Sequence, residues 1–423
     1  MKFGYCVIEV KRPFQMPLVK NAIFLILTSG STSVLGFFFW ILVARLYSPS
    51  QVGLATATIA AASLLGAFSK LGLDFGLIRF LPLTGEKNGM LNSTMTITGL
   101  FAIFLSVIFI FGLKFWSPSL SFLQSNLPIT SGFIIFTAIY ALFMLQTSAF
   151  VGTRAAKYAL LQSLCAGLIK IPLPFLFIAS GMIGIFLSWG LASLLALTVS
   201  LFFLMPKLLP GYLPLPVIKR NHLKTLIRFS IGNYVADIFD ILPGLIFPLI
   251  IINTLPEEFN AYFFIAWTIA TLLFMVPISI NSSLLAEASY EPEKLRNLVI
   301  RSITFTLLLL VPGILIIWFA GDKILLFFGK EYSQGSFELL KMLSISSIPY
   351  AVVRLYVTIK RVKLQIQPII TTYVLIAAIT VFGGYYLISS TGLQGIGIAW
   401  TSSQCILAVA TGLILLKKEE RPK

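Results

Sequence analysis

The chain is 423 residues long, 58% hydrophobic and only 11% charged, with a mean hydropathy of +0.96. Soluble domains carry about 25% charged residues, so this composition excludes a water-soluble globular protein and makes lipid the solvent. A formal charge of +16, from 31 Lys+Arg against 15 Asp+Glu, raises nucleic acid as a partner. The basic residues, however, punctuate the gaps between apolar runs instead of gathering on one face or tail. That is the pattern of membrane topology, not of nucleic-acid binding.

In chain order, residues 1–18 read as a cytoplasmic lead-in: the apolar stretch Tyr5–Val10 is interrupted by Glu9 and is too short for a signal peptide, and Met16 is an alternative start. A helical crossing needs ~20 mostly apolar residues. The runs that meet this are 19–44, 51–69, 91–113, 128–151, 158–180, 182–205, 225–252, 260–286, 298–320, 336–358, 367–388 and 394–416. The fold class is therefore all-α integral membrane, with about 12 transmembrane helices. The longest polar connection, 206–224, carries Pro206, Pro210, Pro214 and Pro216, and such spacing stiffens a connector. It divides the chain into a six-helix lobe over 19–205, a cytoplasmic linker, a second six-helix lobe over 225–416 and a cytoplasmic tail, 417–423.

With both termini inside, the inner connections hold 24 basic residues and the outer ones four: Arg45, Lys114, Lys323 and Lys330. The positive-inside rule thus orients the bundle and favours an even number of crossings. Six crossings per lobe also make the halves parallel repeats. A shift of 207 positions places Pro49 on Pro256, Leu42 on Leu249 and Leu65 on Leu272.

Ionisable residues inside a membrane are costly and usually face a cavity or a partner. Ser230, Asn233, Asp237 and Asp240 on the seventh crossing follow a three-four-three spacing, which puts them on one helical stripe. Two carboxylates one turn apart repel, so a shared cation or a proton would relieve them. The stripe reads either as an ion or proton site or as an interhelical hydrogen-bond network. Lys170, on the fifth crossing, is the one deep cation; it faces an anionic head group or pairs with the aspartates. Arg354 and Lys341 lie nearer the interfaces, where snorkelling is sufficient explanation, and the same holds for Arg45 and Arg79. Prolines within crossings (Pro172, Pro174, Pro243, Pro248, Pro277, Pro312) imply kinks.

Cys6, Cys165 and Cys405 are scattered and form neither a metal motif nor a disulfide framework. His222, the single histidine, reads as a solvated loop residue beside Arg220 and Lys224. The sequence contains no GxxxxGK[ST], HExxH or GxSxG motif and no long outer loop for paired catalytic carboxylates, which argues against an enzyme. Asn92-Ser93-Thr94 fits a glycosylation sequon, but the topology places it inside.

Two segments carry a family likeness. The first runs from Lys20-Asn21-Ala22 through Gly36, Ala44-Arg45-Leu46-Tyr47-Ser48-Pro49 and Val52-Gly53; the second is Leu71-Gly72-Leu73-Asp74-Phe75-Gly76-Leu77-Ile78-Arg79-Phe80-Leu81-Pro82. Both resemble the opening of polysaccharide-biosynthesis transporters, the Wzx-like oligosaccharide flippases of the multidrug/oligosaccharidyl-lipid/polysaccharide (MOP) superfamily. Ala156-Lys157-Tyr158 through Lys170-Ile171-Pro172 is also similar. The resemblance implies a MATE/MOP-like pair of lobes around a cavity that opens alternately to each side of a prokaryotic plasma membrane. It implies a polyprenyl-linked oligosaccharide as cargo, and glycosyltransferases of the same pathway as partners. It implies no cofactor beyond a coupling Na+ or H+. The residues it puts forward for the cargo phosphate are Lys170, Arg79, Arg45 and Arg354. For ion or proton coupling they are Asp237, Asp240, Asn233 and Ser230. Other readings are a cation-coupled multidrug exporter of the same fold and, from a different class, a polytopic glycan polymerase or ligase.

Overall fold

A computed structural model describes residues 17–290 and 292–419. Most of the expected lead-in, the last residues of the tail and the side chain of His222 lie outside the described residues. The helices in chain order are α1 (Pro17–Leu46), α2 (Pro49–Ser69), α3 (Leu73–Phe80), α4 (Lys87–Phe111), α5 (Leu113–Trp116), α6 (Leu127–Gly152), α7 (Ala156–Lys170) and α8 (Leu173–Leu176). They continue with α9 (Met182–Val199), α10 (Met205–Leu208), α11 (Arg220–Thr254), α12 (Glu257–Tyr290), α13 (Leu295–Leu326), α14 (Lys330–Val362), α15 (Ile366–Thr391) and α16 (Leu393–Glu419). Among the described residues, twelve spans are long and apolar enough to cross a bilayer, α7 with α8 and α9 with α10 each making one. An even count puts the start of α1 and the end of α16 on the same face. That face carries the basic connections and is called the basic face below; the other is the far face.

Two differences from the expected runs have local causes. Pro172 and Pro174 lack backbone donors, so α7 stops at Lys170 and α8 completes the span as a separate turn. After α2, Leu71 and Gly72 take positive φ values of 50° and 74°, which turns the following residues into the separate helix α3. Pro243, Pro248, Pro277 and Pro312, by contrast, sit inside uninterrupted helices, where neighbouring helices and local adjustment compensate the lost bond. Helix α11 begins at Arg220, so the connector between the lobes narrows to residues 209–219.

The halves repeat each other in backbone detail. Helix α6 ends in a turn in which Arg154 N–H donates to Val151 and Ala155 N–H to Phe150; α14 ends in the same turn, Leu364 to Arg361 and Gln365 to Lys360. The turns also share a left-handed residue, Arg154 (φ 57°) and Leu364 (φ 53°). The last crossing of each half is preceded by a glycine in the same conformation: Gly181 at φ 56°, ψ −137° and Gly392 at φ 61°, ψ −143°. Side chains there would be strained, so glycine marks the same corner twice.

The lobes meet on the axis that relates them. Helix α2 is the most enclosed crossing, and its run Ala55–Ala62, rich in Ala and Thr, lets neighbouring backbones approach closely. Against it lies α12. The Ser50 hydroxyl donates to the Glu257 carboxylate, and Asn260 Nδ2 donates to the Gly53 carbonyl at 2.7 Å; both pairs are 207 positions apart. Residues near a two-fold axis meet their own counterparts, so the shift read from the sequence reappears as contact. A Cβ on Gly53 would lie 1.8 Å from the Glu257 carbonyl oxygen. Further contacts close the far face around this point. Arg45 donates to the Leu326 and Phe327 carbonyls at the end of α13. Asn253 Nδ2 donates to Ser117 Oγ at 3.0 Å, and the Trp40 and Phe264 rings pack at 4.4 Å. Replacing Gly53 by Ala forces α2 and α12 apart and is expected to destabilise the protein by ~1–3 kcal/mol, the cost of overpacking. Thermal melts followed by size-exclusion chromatography in detergent would read this as a lowered midpoint.

Candidate functional site

A cavity of about 890 Å³ lies between the lobes, towards the basic face. Its N-terminal wall is α3 with the residues that follow it, and the end of α6: Phe75, Ile78, Arg79, Pro82, Leu83, Gly152, Thr153 and Arg154. Its C-terminal wall is Asn233 and Asp237 on α11 with Arg361 on α14. Three arginines and one aspartate therefore line the same cavity. Asp237 stands about 10 Å inside the span that begins at Ser230, from the 1.5 Å rise per residue.

Local structure places each charge. Arg79 is carried by the last turn of α3, which the Leu71–Gly72 reversal directs against α11. There Gly72 packs so closely on Ser230 and Tyr234 that a Cβ would meet the Tyr234 Cβ at 2.8 Å, and Tyr234 Oη donates to the Phe68 carbonyl at 2.8 Å. Arg154 and Arg361 sit at the matching terminal turns of α6 and α14, so the repeat brings one arginine from each lobe to the mouth of the cavity. At the base of α3, Lys70 Nζ and Asp74 Oδ2 form an ion pair at 2.7 Å. Burial opposes the Lys70 charge, but Asp74 and, from the other lobe, Asp237 raise its pKa above the ordinary lysine value.

The stripe read on the seventh crossing divides. Asn233 and Asp237 line the cavity, while Ser230 is buried at the contact with Gly72. Asp240 turns into the C-terminal lobe and pairs with Arg354 at 2.9 Å. Arg354 also donates to Tyr350 Oη and to Tyr373 Oη, each at 2.7 Å. This Arg354 is thus engaged in a closed network between α11, α14 and α15 and not in snorkelling or the cavity wall. The two carboxylates therefore have different surroundings, Asp240 at Arg354 and Asp237 in the cavity wall.

Lys170 is apart from both aspartates, its ammonium 4.6 Å from the centroid of the Phe39 ring in the N-terminal lobe. Arg45 lies at the far face on the α13 carbonyls. Of the residues put forward from the sequence, Arg79, Asn233 and Asp237 come together in one cavity. Arg154 and Arg361 enter a sequence reading only as charges that orient the bundle, and the signal that joins them is their recurrence at equivalent inner turns. Because the Arg354 and Asp240 side chains are 17% and 19% exposed, removing one leaves a buried charge uncompensated. Arg354→Leu or Asp240→Asn should cost ~3–5 kcal/mol, and the double variant less than the sum of the two. Asp237→Asn should leave the melting midpoint close to wild type. A thermal-stability cycle over these variants tests the division of the stripe.

The sequence profile of a family described as polysaccharide biosynthesis protein matches residues 18–242. No curated protein matches the chain by sequence. Solved structures share its fold at low identity. A lipid II flippase, MurJ, in an inward closed conformation has a TM-score of 0.75 at 15% identity, over 94% of this chain and 87% of its own. An inward-facing multidrug resistance MATE family transporter of the MOP superfamily reaches 0.69 at 15% identity, over 92% and 96%. A MOP superfamily transporter from Pyrococcus furiosus, described as having a binding pocket of reverse polarity, reaches 0.62 at 14% identity, over 95% of each chain. With more than half its length matched by that profile and its twelve crossings arranged as in these transporters, the chain belongs to the polysaccharide biosynthesis protein family.

Proposed function

We propose that this protein is an alternating-access carrier, not an enzyme, which flips a polyprenyl-(pyro)phosphate-linked oligosaccharide across the plasma membrane of a prokaryote. The observation that carries the reading is the interlobe cavity, where Arg79, Arg154 and Arg361 outnumber the single carboxylate of Asp237. Guanidinium forks suit phosphate oxygens, and the polar wall that includes Asn233 and Thr153 suits sugar hydroxyls. The lipid tail stays in the bilayer while the head group enters. With the basic connections facing the cytoplasm, both termini are cytoplasmic and the cavity opens to the leaflet on which such glycans are assembled. Glycosyltransferases of that assembly are the expected partners.

On this reading the far-face contacts of Arg45, Ser50 and Asn260 must part for release, and Na+ or H+ is the expected coupling ion at Asp237. A multidrug exporter is the second reading; Asp237 favours it, because a cationic drug needs a negative group in the cavity. Proteoliposomes carrying a fluorescent polyprenyl-pyrophosphate glycan distinguish the two by chemical quenching of the outer leaflet. Arg79→Ala with Arg361→Ala should slow flipping at least ~10-fold, since each hydrogen bond to a charged group contributes roughly 1.5–3 kcal/mol. Extrusion of cationic dyes with no glycan flipping would overturn the proposal.

A further inference from the structure

The connector between the lobes, 209–219, has no use in the cavity, yet it is firmly held. Its ends, Leu209 and Lys219, are extended, and Pro214 and Pro216 keep the middle from folding into a helix. One edge is bonded to α4. Asn92 Nδ2 donates to the Leu213 carbonyl at 2.8 Å, Val217 N–H donates to Thr96 Oγ1 at 3.2 Å, and Lys219 N–H donates to Ser93 Oγ at 2.9 Å. Lys219 Nζ pairs with Glu86 at 2.6 Å, and Tyr212 is buried with its hydroxyl on Met95 Sδ. Asn92 and Ser93 are two members of the sequon, so that triplet has a structural use here.

The position of this strap fixes what its other edge meets. Asn92 and Thr96 continue on α4 into Leu100, Ile103 and Phe104, along one helical stripe; these three are exposed and face lipid. The strap therefore covers the polar end of a lipid-facing stripe. It crosses five to nine residues after Lys87, about 7–14 Å along the helix from the end of the span Lys87–Phe111, within the reach of interfacial apolar side chains. On its outward edge Leu213, Leu215 and Ile218 are 64%, 55% and 54% exposed. Exposed cations stand at its two ends, Lys207 and Arg220.

We propose that residues 207–220 form a lipid-binding strap, with Leu213, Leu215 and Ile218 inserted at the head-group boundary of the basic-face leaflet and Lys207 and Arg220 holding its anionic head groups. The apolar edge supplies depth, and the flanking cations supply preference for anionic lipid. The strap would hold the start of α11 at a constant depth beside the N-terminal lobe while the lobes rock. This assignment does not depend on the identity of the cargo.

The test uses the full chain with its three cysteines replaced by serine and an environment-sensitive fluorophore on Leu215→Cys. The labelled protein is placed in phosphatidylcholine vesicles with and without phosphatidylglycerol, and bromine-labelled lipids serve as quenchers. Reference labels sit at Phe104→Cys, which faces lipid, and at Gly85→Cys, in an exposed turn. The label at 215 should be quenched at least about twofold more than that at 85, more strongly with phosphatidylglycerol. Lys207→Gln with Arg220→Gln should abolish the phosphatidylglycerol difference while leaving size-exclusion behaviour unchanged. Quenching at 215 equal to that at 85 in both vesicles would overturn the proposal. So would shielding that appears only when soluble cell protein is added, which would make a protein the occupant.

Discussion

The close approach of α2 to α12 is the constraint on which the rest of the structure depends. Gly53 meets the Glu257 backbone with no room for a side chain, and Ser50 and Asn260 bond across the same point. In lipid there is no hydrophobic drive to hold two apolar helices together, so packing of small residues and a few hydrogen bonds must do it. Helix α2 supplies the small residues, and both helices supply hydrogen-bonding groups, Ser50 and Thr56 from α2 and Glu257 and Asn260 from α12. Because the contact lies on the axis that relates the halves, it positions both lobes at once. It also brings the far-face residues Arg45 and Asn253 onto the opposite lobe, leaving the cavity to open on the basic side.

Charge inside the bundle is handled in three different ways. Asp240 and Arg354 neutralise each other in a network whose remaining donors are satisfied by Tyr350 and Tyr373, so the lobe carries them without an unpaired charge. Lys170 rests against the face of an aromatic ring, which offers electrostatic attraction without a counter-ion. Asp237 alone faces the cavity, among arginines from both lobes. The third arrangement holds charge where a ligand can reach it. For that reason the cavity, and not the deeper ion pair or the lone lysine, bears the proposed recognition of an anionic head group.

The two faces of the bundle differ in kind. At the far face the lobes are joined by hydrogen bonds to side chains and to helix-end carbonyls. At the basic face α3 packs on α11 through glycine, and the connector is bonded along α4. The start of α11 is therefore tied to the N-terminal lobe twice over.

The number of crossings, their parity and the basic face were legible in the sequence because each depends on local composition: apolar runs of bilayer length, and charges in the gaps. The shift of 207 positions was legible too, though only the contacts of Ser50 with Glu257 and Gly53 with Asn260 give it physical meaning. The helical stripe from Ser230 to Asp240 was visible from its spacing, but spacing cannot say what stands opposite each residue. Tertiary structure divided it, sending Asp240 to Arg354, some hundred residues away in sequence, and Asp237 to the cavity. Arg154 and Arg361 line the same cavity as Asp237 only because two equivalent turns converge across the lobe boundary. Periodicity along a helix is a property of the chain, whereas the partner of a charge is a property of the fold, and in a membrane that partner decides whether the charge serves as structure or as a site.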